Sequence, residues 1–392
     1  MNIKNSLHVV SLFYILICFT FREYYIPGLD LNLEVISSIV YCVFLLILVL
    51  NRGKILVPPV GITLLSSYWL ILIYLTLAAL FTTTSFNILK YILFILPIIS
   101  ISLLYINNEN FINSVLTLVK ISVIIHLLVS LTAFVDMSIG TKIYTTLREM
   151  LSLYSNQSSE FITYPSLRSQ GIFYNSSSLA SLGLFAIAFN IIFFKKPSLW
   201  LLICATVLVV LSGSRVPLIC LLIFLALYKG INLKKIIIIF IISIMFFYYI
   251  DIDLLIDMFS RIIRIYDNGL YNDYSLSYRI NILWPEALYK TNNYTLGTLT
   301  NPVEIVGVID SGYLTAYIQG RWLLVTGLIF SILTLSFISL YDLYKNKGLF
   351  FFLIPLYIIL GMMISNPISN PLIVMISFFY VSKFFNKEPQ AI

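Results

Sequence analysis

The sequence predicts an all-α, polytopic integral membrane protein. Three observations carry this. The 392 residues are 60% hydrophobic and 10% charged, with a mean hydropathy of +0.99. A typical soluble domain is roughly 45–50% apolar and about 25% charged, so polar side chains here are too few to cover a water-facing surface. The apolar residues also fall in long runs, such as 199–211 and 240–247. The same arithmetic excludes a disordered chain. The net charge of +7 is spread thinly and forms no basic patch, so no nucleic-acid partner is expected.

A helix needs about 20 mostly apolar residues to cross the hydrocarbon layer. Twelve segments qualify in chain order: 6–21, 33–50, 60–81, 86–106, 111–135, 171–194, 198–212, 216–228, 236–250, 322–341, 349–365 and 371–385. The first ends in Phe21-Arg22-Glu23-Tyr24 with no small-x-small cleavage site, so it reads as an uncleaved helix. The pair 198–212 and 216–228 is short on both sides of Ser212-Gly213-Ser214-Arg215 and could be two spans or a re-entrant pair. Cys18, Cys42, Cys204 and Cys220 all sit inside apolar runs, so neither a disulfide framework nor a metal site is expected.

Lysine and arginine set the orientation. With the N-terminus in the cytoplasm, the inner loops hold Lys4, Arg52, Lys54, Lys195, Lys196, Lys229, Lys234, Lys235, Lys345, Lys347, Lys383 and Lys387 against Glu109, Asp342 and Glu388. Both termini then face the cytoplasm. The outer positives are mostly arginine: Arg22, Arg148, Arg168, Arg215, Arg261, Arg264, Arg279 and Arg321. Orientation needs only charge. Arginine adds a planar fork that grips phosphate or carboxylate through two parallel hydrogen bonds. The segregation therefore points either to pairing with the outer acids or to an outward-facing site for a phosphorylated ligand.

Within the one transmembrane domain, 1–392, two outer loops are long: 136–170 and 251–321. Long ordered loops are disproportionately functional. Each carries an amphipathic stretch. In 144–154 the apolar face is Leu147, Met150, Leu151 and Tyr154. In 253–266 it is Leu254, Leu255, Met258, Phe259, Ile262, Ile263 and Tyr266. These stretches suit interfacial helices or spacers packed on the bundle. Asp251 and Asp253 form an Asp-x-Asp pair, which fits a helix cap better than a metal site. No internal repeat of the inverted-transporter kind is evident.

Three stretches carry candidate chemistry. The first, 168–180, contains Arg168, Gly171, Phe173 and Asn175 and enters the sixth segment. A polar run at a helix start offers free N–H groups to an anion, though small residues there also suit helix packing. The second is Ser212-Gly213-Ser214-Arg215, where an arginine between apolar runs is costly unless it meets water, a partner or a ligand. The third places Tyr278, Arg279 and Trp284 ahead of Asp310-Ser311-Gly312-Tyr313-Leu314 and Arg321. Rings among charged groups can bind sugars, and an interfacial aromatic belt has the same composition. Lys120 falls near the middle of the fifth segment, where burial costs about 2.5–3.5 kcal/mol, so it should face the bundle interior. His126 lies six residues on, on another face, and His8 near the inner end of the first segment reads as structural.

In this order the stretches resemble the Wzy-type polysaccharide repeat-unit polymerases, and more distantly the O-antigen ligases. The resemblance covers the topology of most of the chain and its motifs at 168–180, 211–217 and 277–325. It implies a GT-C-like membrane glycosyltransferase that joins undecaprenyl-diphosphate-linked repeat units at the outer face of a bacterial cytoplasmic membrane. The diphosphate lipid would be the leaving group. By position, Arg215 and Arg279 would grip the diphosphate. Arg168, Asn175, Tyr278, Trp284, Tyr313, Arg321 and Lys120 would be substrate-binding candidates. Asp310 would be either the base for the acceptor hydroxyl or a partner for an arginine. No cofactor is implied. The partners implied are lipid-linked oligosaccharides, the bilayer, a flippase and a chain-length regulator. The ligases carry a histidine where this chain reads Asp310-Ser311-Gly312-Tyr313, and no outer loop here contains one. That favours polymerase over ligase. A lipid-linked oligosaccharide flippase is the alternative from another class, and its loops would be shorter.

Overall fold

The computed structural model describes residues 3–21, 24, 32–52, 86–105, 107–139, 143–144, 146–147, 171–173, 176–194, 196–227, 277–298, 303–307, 309, 311–346, 353–364 and 370–386. Every regular element among them is helical. In chain order these are α1 (Ile3–Leu16, continued by a π turn Ile17–Phe21), α2 (Leu33–Arg52), α3 (Phe86–Tyr105), α4 (Glu109–Ile139), α5 (Ser176–Phe193), α6 (Leu199–Leu211) and α7 (Arg215–Leu227). A second π turn, Arg279–Leu283, leads into α8 (Trp284–Thr291). Then come α9 (Val303–Val306), α10 (Gly312–Asn346), α11 (Leu353–Ile364) and α12 (Pro371–Asn386).

Among the described residues, four helices are long and apolar enough to cross a membrane: Leu33–Asn51, Glu109–Thr132, Ser176–Phe193 and Gly312–Tyr341. Shorter apolar helices run over Ser6–Phe21, Leu96–Tyr105, Leu199–Leu211 and Pro371–Lys383. The expected segments 60–81 and 236–250 and the amphipathic stretch 253–266 lie outside the described residues. Of 144–154 only residues 144, 146 and 147 are described, in helical conformation.

The helix starts follow the sequence. Asparagine side chains accept the orphan N–H groups of three first turns. Asn32 Oδ1 accepts from Val35 at 3.0 Å, Asn108 Oδ1 from Phe111 at 3.1 Å and Asn370 Oδ1 from Leu372 at 3.0 Å. Pro371 opens α12, where its missing N–H costs nothing. Inside the helices, hydroxyls such as Ser11, Ser102 and Ser339 donate to the carbonyl four residues back, which keeps them satisfied without water.

α5 is the centre of the bundle. It is apolar all round, and 14 of its residues are buried, Ser178 to Asn190 among them. A helix buried on every side is the expected fate of such a sequence. It packs on α4, α6, α7 and α12. The α5–α6 crossing is close because Gly183 faces Val209 and the Ala205 carbonyl, and a Cβ at 183 would lie 2.8 Å from that oxygen. At the other end of the crossing, Asn190 ties the connection back. Its Nδ2 donates to the Ser198 carbonyl (2.9 Å), and the Ser198 N–H donates to its Oδ1 (3.1 Å).

Two boundaries differ from expectation. The sixth segment opens with a turn over 171–173, and α5 is described from Ser176. The tenth starts ten residues early, at Gly312, because the end of the second long loop is itself helical. The two arms of α10 meet at a kink where Gly320 (φ −141°, ψ 17°) and Arg321 (φ 49°, ψ −145°) leave helical geometry. Periodicity alone could not show this, since both arms are apolar on one side.

Candidate functional site

Three helices begin at one end of the bundle: α5 at Ser176, α7 at Arg215 and α10 at Gly312. Contacts link these starts. Ser214 Oγ, in the turn before α7, lies 3.5 Å from Ser176 Oγ. α11 is the ruler for the third. Ser181 and Tyr357 join α5 to α11 through their hydroxyls at 3.1 Å, and Ser311 Oγ points at the Met362 carbonyl at 3.5 Å. Ser176 is five residues from Ser181 and Met362 is five from Tyr357, which is about 7.5 Å along each helix. Ser311 thus contacts α11 about as far from the Ser181–Tyr357 bond as Ser176 stands from it along α5.

The turn between α6 and α7 is built from its hydroxyls. Ser212 Oγ donates to the Val209 carbonyl at 2.6 Å and accepts the Ser214 N–H at 3.2 Å. Ser212 is fully buried. Arg215 is the first residue of α7, and that first turn contains no acidic residue. The first turns of α5 and α10 contain none either. Ser311 caps α10: its Oγ accepts the Leu314 N–H at 3.4 Å. Tyr313, one residue into the helix, directs its hydroxyl at the Ile359 carbonyl at 3.4 Å.

The remaining candidates sit on the loop helix. The π turn Arg279–Leu283 closes with the Trp284 N–H on the Arg279 carbonyl. The extra residue per turn rotates what precedes it by about 100° relative to the α8 face, so Tyr278 and Arg279 emerge off the line of α8. α8 packs on α10 through Ala287 and Thr291, both buried, while Tyr289 is 85% exposed on the far side. Trp284 Nε1 is buried without a hydrogen-bond partner among the described residues.

Arg321 holds this loop in place. Its Nε donates to the Tyr294 carbonyl at 2.9 Å, a second N–H donates to the Thr291 carbonyl, and its guanidinium lies 5.1 Å above the Tyr317 ring. Thr291 ends α8 and Tyr294 follows it, so both carbonyls lie at the α8 C-terminus, where a cation is favoured; each also accepts a backbone N–H, from Tyr294 and Gly297. The Thr298 N–H adds a bond to the Ile318 carbonyl at 2.9 Å. Arg321 therefore fastens the loop that carries Arg279 and Trp284. Its kinked backbone, costly for a non-glycine residue, is what lets the fork reach both carbonyls. Arg321→Lys keeps the charge over Tyr317 and loses the fork. Proteolysis within 277–298 of the variant in nanodiscs is expected to accelerate about 5–30-fold, the ratio that 1–2 kcal/mol gives. An unchanged cleavage rate would remove this role.

Arg168, Asn175 and Asp310 lie outside the described residues, as do Asp251 and Asp253. Lys120 is half-buried, at the edge of the packed face of α4 that Val119, Ser122, Val123 and His126 define. It is thus not on the interior-facing stripe itself. Among the described residues no group of three His, Cys, Asp or Glu side chains could hold a metal ion.

Sequence reasoning passed over His126. Its Nδ1 accepts the Ile172 N–H at 3.2 Å, its Nε2 bonds the Phe19 carbonyl at 3.1 Å, and its ring stacks on Phe173 at 4.3 Å. Partners 46 and 107 residues away leave no local signal in the chain. His8 packs edge-on against Tyr105 and Phe111 at the other end of α4. Comparison with family models, with curated proteins and with solved structures returns no match to this chain.

Proposed function

We propose that the chain is a glycosyltransferase that polymerises undecaprenyl-diphosphate-linked oligosaccharide repeat units into a surface polysaccharide. The reading places it in a bacterial cytoplasmic membrane with about twelve spans of GT-C-like arrangement and both termini inside. The end of the bundle where α5, α7 and α10 begin then faces out. The lipid-linked repeat unit is its substrate, a flippase would supply that substrate, and a chain-length regulator is a fitting partner.

The observation that supports this most is the meeting of the α5 and α7 N-termini, with that of α10 tied in through α11, none with an acid in its first turn. Each carries the positive end of a helix dipole. One of them opens on an arginine, a position where the dipole disfavours a cation by about 0.3–1 kcal/mol unless an anion is bound. A diphosphate answers that need. The depth of the turn agrees. α6 has 13 residues, roughly 20 Å, against a hydrocarbon layer of about 30 Å. The Ser212–Arg215 turn is recessed, where a low dielectric strengthens each charge-assisted bond.

The mechanism follows from where charge grows. As the glycosidic bond to the diphosphate breaks, negative charge builds on the leaving oxygen, and guanidinium N–H groups from Arg215 and Arg279 stabilise it. The acceptor hydroxyl attacks from the side of the α10 N-terminus, where Asp310 precedes the Ser311 cap and takes the proton. The Nε1–H of Trp284, which has no partner among the described residues, is a donor suited to a sugar hydroxyl. Deleting the gene tests the reading. The expected result is a lipid acceptor capped with single repeat units. Accumulation of lipid-linked units on the inner leaflet would assign the chain to a flippase instead, and loss of all capping with intact free polymer would assign it to a ligase.

A further inference from the structure

We infer that His126 is a positioning residue: its ring pins the 171–173 turn, which precedes α5 in the chain, to the end of α1. Its relevance to catalysis rests on the polymerase reading above; the positioning itself does not.

The junction is fixed from three sides. α1 ends in the π turn Ile17–Phe21, so the Phe19 carbonyl is among the acceptors that a helix C-terminus leaves open. His126, fully buried on α4, reaches it with Nε2. One turn earlier on α4, Ser122 Oγ and Thr20 Oγ1 are bonded at 2.8 Å along the same seam. On the other edge of the ring, Nδ1 meets the Ile172 N–H. A carbonyl only accepts and a backbone N–H only donates. The ring must therefore be neutral, with its proton on Nε2. An imidazolium would direct an N–H at an N–H.

Gly171 completes the fit. It has φ +57°, and a Cβ there would lie 2.5 Å from His126 Nδ1. Phe173, 1% exposed, covers the ring face. One buried side chain thus joins α1, α4 and the turn that precedes α5 in the chain. Three residues beyond Phe173 stands Ser176, which faces the α7 turn.

Two amides separate the two bonds. In His126→Asn the carboxamide oxygen falls near the Nδ1 position, which keeps the acceptor for Ile172 and loses the donor to Phe19. In His126→Gln the amide reaches the Nε2 position, which keeps the Phe19 bond and loses the acceptor. The test is the maleimide labelling rate of Ile172→Cys in the full chain in nanodiscs, with the half-buried Cys42 changed to alanine; Cys18, Cys204 and Cys220 are buried. His126→Asn is expected to label within about twofold of the parent. His126→Gln is expected to label about fivefold faster or more, the ratio that ~1 kcal/mol gives. Gly171→Ala, which approaches the junction from the other side with His126 intact, should also label faster. Parent-like labelling in both His126→Gln and Gly171→Ala overturns the inference. Equal acceleration in the Asn and Gln variants also overturns it, because packing and not the Nδ1 acceptor would then hold the turn. Chain extension is scored separately. The predicted labelling pattern in a protein whose wild type extends no chain would sink the polymerase reading and leave the positioning intact.

Discussion

Gly297→Ala is expected to release the loop helix from α10 and to cost about 2–4 kcal/mol, the sum of left-handed strain and one or two lost buried hydrogen bonds. Gly297 has φ +85°, and a Cβ there would press on the Gln319 carbonyl and lie 2.7 Å from the Gly320 nitrogen. Those atoms are backbone, so no rotamer change relieves the contact. The neighbouring Thr298 N–H bonds the Ile318 carbonyl, and the Tyr294 carbonyl both accepts the Gly297 N–H at 3.1 Å and holds Arg321. Displacing residue 297 therefore loosens the Arg321 clasp as well. Gly307→Ala is the matched control. It has φ +76° but nothing within 4 Å of its Cβ position among the described residues, so it carries the dihedral strain alone. In nanodiscs, proteolysis within 277–298 should rise steeply for Gly297→Ala and stay near the parent for Gly307→Ala. Equal cleavage of the two would mean that the close approach to α10 does not hold the loop.

The described crossing helices were legible in the sequence because bilayer burial demands a continuous apolar run, and such runs are visible without any contact information. The segment starts carried a local signal that apolar runs alone did not use, the capping side chains of Asn108 and Asn370. Other features depend on pairs of residues far apart in the chain. The kink at Gly320–Arg321 exists because Arg321 reaches carbonyls 27 and 30 residues earlier, and no periodicity encodes that reach. For Arg321, the chain suggested a ligand contact because arginine at a span boundary fits a phosphate and a helix C-terminus equally well. The role of His126 was invisible for the same reason, since it is set by Phe19 and Ile172. The meeting of Ser176 with Ser214 was only half legible: each stretch could be read as a helix start, but not that the starts meet.

The largest effect on activity is expected from Arg215→Lys and Arg279→Lys. Lysine preserves the charge that orientation requires, so insertion and abundance in the membrane should match the parent. What disappears is the planar fork. If each guanidinium makes a bidentate, charge-assisted contact to the leaving diphosphate, losing one such bond in a recessed site removes ~1.5–3 kcal/mol of stabilisation that grows as the glycosidic bond breaks. That corresponds to a fall of roughly 10–150-fold in the rate of chain extension. The effect should fall on turnover more than on the substrate concentration for half-maximal rate, because the charge being stabilised is greatest in the transition state. In cells the polymer ladder should collapse toward short chains. The double variant discriminates further. Two arginines on one diphosphate share a ligand, so their losses should not add, whereas two arginines serving separate groups should give the product of the single effects. Arg215 opens α7 and Arg279 stands in the π turn ahead of α8, two elements anchored to different helices. Non-additivity would therefore place one anion between them. Full-length polysaccharide at parental rate in both single variants would remove the arginines from the chemistry.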